Sequence, residues 1–196
     1  MTEYPLRTEL SRFHIQTPLG VMEGLCTSTH LQMLAFRGIG KIAERLSQYP
    51  SQENRNNRIV SLVEEQLATY FNKKTQWFDI PLQLEGTPFQ KKVWTTLLTL
   101  PWGATFSYSE LARRIDRPQA ARAVANAVAA NPVLLFVPCH RVVGENGNVC
   151  GYSGGIENKI QLLNWEVATS KNALRTSTST SSVSRLSYMS PKITPS

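Results

Sequence analysis

The sequence predicts an α+β protein, with a small antiparallel sheet and helices at its N-terminal end and a mostly helical C-terminal part carrying a helix-turn-helix and a cysteine loop. Three observations predict it. Apolar alternation is confined to the chain before Lys41, helical spacing takes over from there, and after Gly86 the pattern becomes helix, short loop, helix, up to an apolar run ending at Cys139.

Arg12 to Thr17 and Val21 to Cys26 read as strands joined by the turn Thr17-Pro18-Leu19-Gly20, and Leu31 to Phe36 is a third strand after Thr27-Ser28-Thr29. Helices are expected over Lys41 to Gln48 and Ile59 to Phe71; in the second, Ile59, Leu62, Val63, Leu67, Tyr70 and Phe71 share one face. Thr87-Pro88 supplies a cap and a proline at the first helical position, followed by the stripe Phe89, Val93, Trp94, Leu97, Leu98 and Leu100 and a stop at Pro101-Trp102-Gly103. Ser107 with Glu110 is a capping box opening Tyr108 to Arg114. A further helix is expected from Arg117-Pro118 to Ala130, which makes Ile115-Asp116-Arg117 the three-residue turn of a helix-turn-helix. The last helix is expected over Ile156 to Ala168, with Ile160, Leu163 and Val167 turned inward. Beyond Ser170 the composition collapses into Ser and Thr, and disorder is expected. The chain thus divides into an N-terminal domain over 1–85, a C-terminal domain over 86–169 and a tail over 170–196.

Composition removes several classes. The 196 residues are 41% hydrophobic, ordinary for a globular protein. No apolar run approaches the ~18 residues that span a bilayer, and the N-terminus carries Glu3, Arg7, Glu9 and Arg12 where a signal peptide would be apolar. A protein without membrane attachment, inside the cell, is expected. Three cysteines, Cys26, Cys139 and Cys150, are too few and odd for a disulfide framework. The formal charge of +7 is unevenly placed: residues 1–85 balance nine Lys/Arg against nine Asp/Glu, 86–169 carry eight against five, and 170–196 carry four against none. A polyanion is a natural partner for the C-terminal half, with simple solubility as the plainer reading.

Residues 119–130 hold seven alanines around one cation, Arg122. Such a helix can lie very close to another surface. It is either an ordinary close helix crossing or a recognition helix with Arg122 as its long probe, and its small residues suit a minor groove better than side-chain reading of the major groove. Arg113, Arg114 and Arg117 flank the turn, either meeting phosphates or forming a solvated face. Pro138-Cys139-His140-Arg141-Val142 then brings a thiol, an imidazole and a guanidinium together. Cationic and basic neighbours favour the reactive thiolate, although a buried inert cysteine fits the pair equally.

The wider string is more specific. Pro138-Cys139-His140-Arg141-Val142, preceded by Asn131-Pro132 and followed by Gly151-Tyr152-Ser153-Gly154-Gly155, resembles the signature of the O6-alkylguanine-DNA alkyltransferases, the methylated-DNA-protein-cysteine methyltransferase family. Phe106 to Ala112 and Ala120 to Val124 extend the likeness, which is detailed over Gly86 to Glu166 and architectural over Arg12 to Glu85, where it implies a ribonuclease H-like domain. The resemblance implies repair of double-stranded DNA by direct reversal: an O6-alkylguanine is rotated out of the helix and its alkyl group passes irreversibly to Cys139 in a suicide reaction. It implies that His140 activates the thiol through a bridging water, that Glu166 orients His140, that Asn131 ties the helix-turn-helix to the cysteine segment, and that Tyr108 protonates the departing guanine. Arg122, flanked by Ala121 and Ala123, fills the gap left by the base; Arg113 and Arg114 meet the backbone; Val142, Tyr152, Ser153 and Leu134 shape the substrate pocket. No cofactor and no metal is implied, and a monomer in the cytoplasm, or in the nucleus of a eukaryote, is expected.

Departures from the pattern are few. Cys150 stands where the family has a small or hydroxyl residue; it is either a tolerated small side chain or a partner for Cys139 under oxidation. Cys26 and His30 resemble part of a zinc site, but beyond His14 no ligand completes it, and a buried core cysteine is the better reading. A lesion-binding protein without transfer, like the alkyltransferase-like relatives, is the alternative, against which the presence of Cys139 argues. A cysteine hydrolase lacks a recognisable triad.

Overall fold

The alternation before Lys41 does produce strands. In the computed structural model, which describes residues 10–50, 57–72 and 75–177, β1 (Ser11–Thr17), β2 (Gly20–Cys26) and β3 (Leu31–Phe36) form an antiparallel sheet in that order. Phe13 and Gly24 are register partners, and a Cβ at Gly24 would run into the Phe13 ring, so glycine is what lets that ring lie across the sheet. Two helices pack on this unit. α1 (Gly40–Ser47) buries Ile42, Ala43 and Leu46, and α2 (Arg58–Phe71) buries Ile59, Val60, Val63, Leu67 and Tyr70. Asn57 caps α2 by accepting from the Ile59 N–H at 2.9 Å, and its amide also donates to the Thr27 carbonyl at 3.0 Å, which ties the helix start to the end of β2.

The outer edge of β3 joins the two halves of the chain. Leu31 donates to the Pro81 carbonyl and accepts from Gln83; three residues on, Leu34 donates to the Pro132 carbonyl and accepts from Leu134, each of the latter two at 2.9 Å. The segment leading to Cys139 is therefore hydrogen-bonded directly to the N-terminal sheet, and one buried apolar cluster runs across residue 85 without a break.

Capping chemistry sets the C-terminal helices as the sequence predicts. α3 (Pro88–Leu98) begins with the Thr87/Gln90 capping box and α4 (Tyr108–Arg114) with the Ser107/Glu110 box. The Trp94 indole of α3 donates to the Ala127 carbonyl at 2.8 Å, fixing α3 against α5 (Ala121–Ala129). The two-residue strands β4 (Phe106–Ser107) and β5 (Val142–Val143) pair in parallel, which sets the start of α4 beside the cysteine segment.

Three expectations need correction. α5 starts at Ala121, not at Arg117-Pro118, so the connection is six residues, 115–120: Asp116 turns the chain at φ 60° and Ala120 closes a further turn onto the Arg117 carbonyl at 2.8 Å. The last helix, α6 (Ile156–Ser177), passes the expected boundary at Ser170; residues 178–196, the rest of the Ser/Thr-rich tail, and residues 1–9 lie outside the described residues. Finally, α6 is rotated from the face its apolar residues suggest. Ile160 and Val167 are exposed, Leu163 is half-buried, and the inward face is Asn158, Lys159, Leu162 and Glu166. Hydrogen bonds to every one of those polar groups make their burial tolerable. Among the described residues, no helix is long and apolar enough to cross a membrane.

Gly40 has φ +76°, and a Cβ on it would collide with the Ser153 carbonyl oxygen, whereas Gly38 at φ +70° has open space around it. Gly38→Ala should therefore cost only the left-handed backbone penalty, roughly 1–2 kcal/mol, and Gly40→Ala clearly more, as measured by urea unfolding. Equal losses would show that the loop yields freely at Ser153.

Candidate active site

Cys139 opens a short 3-10 turn, Cys139–Arg141, at the end of the apolar run 133–137. The turn is held from behind. Asn131, itself fully buried just past the C-terminus of α5, donates from Nδ2 to the Val137 carbonyl at 2.8 Å and to Cys139 Sγ at 2.9 Å, while its Oδ1 accepts from Val133 N–H at 3.0 Å. A single amide thus closes the loop 131–139 and touches the thiol.

His140 and Arg141, next along the turn, both point to Glu166 on α6. Nε2 of His140 lies 2.8 Å from Glu166 Oε1; Arg141 donates from Nε to Oε2 and from Nη2 to Oε1, both at 2.9 Å, and from Nη1 to the Leu100 carbonyl. The Tyr70 hydroxyl donates to Oε1 at 3.3 Å and the Gly103 N–H to Oε2 at 3.1 Å, while the Trp102 indole donates to the Glu166 backbone carbonyl at 3.0 Å. The carboxylate is 1% exposed. Burial alone would push its pKa up, but the charges and hydrogen bonds of His140 and Arg141 pull it from its ordinary value near 4.5 down to about 2. An ionised Glu166 can only accept, so His140 Nε2 carries the proton that it donates. The lone pair is then on Nδ1, a buried atom with no hydrogen-bond partner among the described residues. Burial outweighs the attraction of Glu166 and keeps the ring neutral, its pKa below the usual value. Burial likewise pushes the Cys139 thiol up to about 11, against the Asn131 hydrogen bond and the positive charge of Lys159. The arrangement is a protonated thiol, a neutral imidazole with a free lone pair, and a carboxylate that fixes the imidazole's tautomer.

Cys139 faces a cleft of about 270 Å³ lined by Tyr108, Val128, Ala129, Gly151, Tyr152 and Ser153. That is the low end of small-molecule pockets and suits one heterocycle. Ser153 Oγ donates to the Ala129 carbonyl at 2.6 Å, joining the loop wall to the end of α5. The Tyr108 hydroxyl accepts from the Cys150 thiol at 3.6 Å, and burial with that contact raises its pKa, so it keeps its proton. Arg122 and Ala123 are exposed and Ala121 half-exposed on the same helix whose far end lines the cleft, about 10 Å away at 1.5 Å per residue. Arg113 is exposed, and Arg114 lies over the Phe106 ring at 4.4 Å.

Two positions assigned to the pocket do not reach it. Leu134 and Val142 are fully buried and absent from the lining; the backbone of Leu134 pairs with β3 and that of Val142 with β4. Cys26 is buried, its pKa raised by burial to about 12; His30 is bonded to Thr29 and His14 to Glu23. Among the described residues, no group of three or more His, Cys, Asp and Glu is placed to hold a metal ion. Sequence reasoning missed Tyr70 and Lys159, and read Arg141 as a cation beside the thiol where the structure pairs it with Glu166. A fully buried tyrosine must find a partner for its hydroxyl, which was the available signal for Tyr70.

Comparison with known proteins agrees with this geometry. Residues 88–168 match the family described as 6-O-methylguanine DNA methyltransferase, DNA binding domain. Over 123 residues the chain is 43% identical to the methylated-DNA–protein-cysteine methyltransferase of Methanosarcina mazei, covering 63% of this chain and 78% of that one. The chain belongs to the methylated-DNA–protein-cysteine methyltransferase family. Within that family it is 48% identical over 101 residues to the inducible member of Bacillus subtilis, covering 52% of this chain and 56% of the relative. The crystal structure of the Mycobacterium tuberculosis O6-methylguanine methyltransferase superposes with a TM-score of 0.73 at 36% identity, covering 82% of this chain and 94% of that one. A structure of the same mycobacterial protein in complex with DNA matches with a TM-score of 0.71 at 36% identity over 80% of this chain and 92% of that one.

Because the folded pKa of Glu166 lies below its ordinary value, the stability it contributes is fully present above about pH 4.5 and is lost as the pH falls toward 2. Glu166→Gln should remove that acid-dependent component from urea unfolding measured over this range, and should cost about 3–5 kcal/mol at neutral pH by leaving Arg141 buried without its partner. An unchanged acid profile would show that another carboxylate governs it.

Proposed function

We propose that the protein repairs DNA by transferring the alkyl group of an O6-alkylguanine to its own Cys139, once and irreversibly. The observation that carries this reading is the Cys139–Arg141 turn, where Asn131 holds the thiol and Glu166 holds His140, at the wall of a cleft sized for one base.

In the proposed step His140 Nδ1 takes the thiol proton through a bridging water. The sulfur then attacks the alkyl carbon as the bond from that carbon to O6 breaks. The electron pair of the broken bond goes to the guanine, which takes a proton from Tyr108 and leaves neutral. General acid help of this kind contributes typically 10²–10⁴-fold. The thioether formed has no easy leaving group, so the acceptor is used up. Burial of the thiol is consistent with an ionisation that occurs only once the site is assembled around its base.

The duplex is the substrate because the cleft is reached along α5. Its small residues, Ala121 and Ala123 beside Arg122, allow close approach to a groove, and Arg122 fills the gap left by the extruded base, offsetting part of an unstacking cost of a few kcal/mol. Arg113 and Arg114 hold the backbone. The mycobacterial relative solved in complex with DNA supports this partner.

Incubation with a duplex carrying O6-methylguanine, followed by peptide mass mapping, should place one methyl group on the Cys139 peptide and none on Cys139→Ala. A protein that binds the duplex while the Cys139 peptide stays unmodified would favour the non-enzymatic lesion binder. Arg122→Ala should slow transfer from duplex by about tenfold or more, equivalent to about 1.4 kcal/mol, without slowing alkylation of Cys139 by iodoacetamide. A loss in both assays would show that Arg122 acts on the fold instead.

A further inference from the structure

Tyr108 is the acid of the proposed step, and its hydroxyl is held by a residue to which that step gives no role. Among the described residues its one hydrogen bond comes from the Cys150 thiol, which donates to Oη at 3.6 Å. Cys150 is half-buried, and its sulfur sits against Gly144, 3.6 Å from where a Cβ on that glycine would lie. The backbone behind it is pinned too, since the Cys150 carbonyl accepts from Lys159 Nζ at 2.9 Å.

The side from which the thiol arrives decides what the contact does. Tyr108 lines the cleft and Cys150 does not, so the S–H meets the hydroxyl from outside the cleft. A phenolic oxygen that accepts on one side carries its own proton on another. With the outer side taken, the Tyr108 proton is turned toward the base. The contact also strengthens as the reaction runs. When Tyr108 gives its proton to the departing guanine, Oη becomes negative, and a hydrogen bond to a charged acceptor is roughly twice as strong as one between neutral groups. An interaction that is stronger in the transition state than before it raises the rate. No bond to the Cys150 sulfur is made or broken. A thiolate at the same place would do the reverse and hold the Tyr108 proton, which is how this neighbour adds to the effect of burial in raising the tyrosine's pKa.

We propose that Cys150 is a positioning residue for Tyr108: its thiol donates to the phenolic oxygen from outside the cleft, aims the tyrosine's proton at the extruded base and steadies the charge left on that oxygen. The role rests on the transfer reaction proposed above, and the test separates the two.

Single-turnover methyl transfer from an O6-methylguanine duplex is read in the full chain as methyl on the Cys139 peptide. Cys150→Ala should slow it about threefold, and Cys150→Ser, which keeps a donor at the same place, should stay within about twofold of the unsubstituted rate and faster than Cys150→Ala. In a Tyr108→Phe background, Cys150→Ala should add no further loss, because the oxygen it serves is gone. Alkylation of Cys139 by iodoacetamide, mapped on the same peptide, should keep its rate in every variant. The proposal is overturned by a Cys150→Ala protein that transfers at the unsubstituted rate, by a Cys150→Ser protein as slow as Cys150→Ala, or by a loss that recurs in Tyr108→Phe. It is also overturned by slower iodoacetamide alkylation, which would place the effect at the acceptor thiol. If Tyr108→Phe does not fold, the comparison of serine with alanine decides. Each of these results leaves the proposed function standing, whereas an unsubstituted protein that places no methyl group on Cys139 overturns that function and this role with it.

Discussion

The carboxylate of Glu166 is the constraint on which the site depends. Desolvating an ion costs several kcal/mol even after relaxation, and only partners of good geometry offset it. Donors to the Glu166 side chain come from α2, the loop after α3, and the 139–141 turn, while its own backbone carbonyl is bound by Trp102. The donors come from three separate parts of the chain, and Tyr70 is 96 residues away. Movement of any one of these elements costs a buried charge one or more of its donors. The acidic residue therefore helps set the relative positions of these elements.

What this fixes is the direction of a lone pair. The bidentate contact from Arg141 holds the carboxylate in plane, the carboxylate holds the Nε2 proton of His140, and the ring presents Nδ1 as a base. A base held by a third group is the general arrangement for activating a nucleophile. The same burial that makes the geometry rigid makes the thiol reluctant to ionise, with its pKa pushed up to about 11. Asn131 opposes that tendency by its hydrogen bond and Lys159 by its charge. Rigidity and reactivity are in tension here, and polar side chains reconcile them at fixed positions.

Local chemistry was legible in the sequence, and remote pairing was not. The capping boxes at Thr87/Gln90 and Ser107/Glu110 form as written because each is decided within four residues. The strands likewise follow their alternation to within a residue. The helix-turn-helix connection was read too short because Pro118 looks like a helix start, whereas Asp116 at positive φ and the Arg117 to Ala120 turn use those residues to redirect the chain. The rotation of α6 was misread for a related reason: periodicity counts apolar residues, and the inward face of this helix carries Lys159 and Glu166. In the site, the Cys139-His140 string and Asn131 were legible as a motif. The partners that give them their charge state, Tyr70 and the Gly103 N–H, lie far off in sequence and carry no signature beyond burial. Leu134 and Val142 show the converse case, since motif positions close to a pocket can be buried in the core behind it.

The ¹⁵N spectrum of the His140 imidazole at neutral pH tests this account most directly. An ionised Glu166 held by Arg141 predicts a neutral ring with its proton on Nε2 and an unprotonated Nδ1. A ring protonated on Nδ1, or an imidazolium, would contradict it, because the lone pair that accepts the Cys139 proton would then be absent.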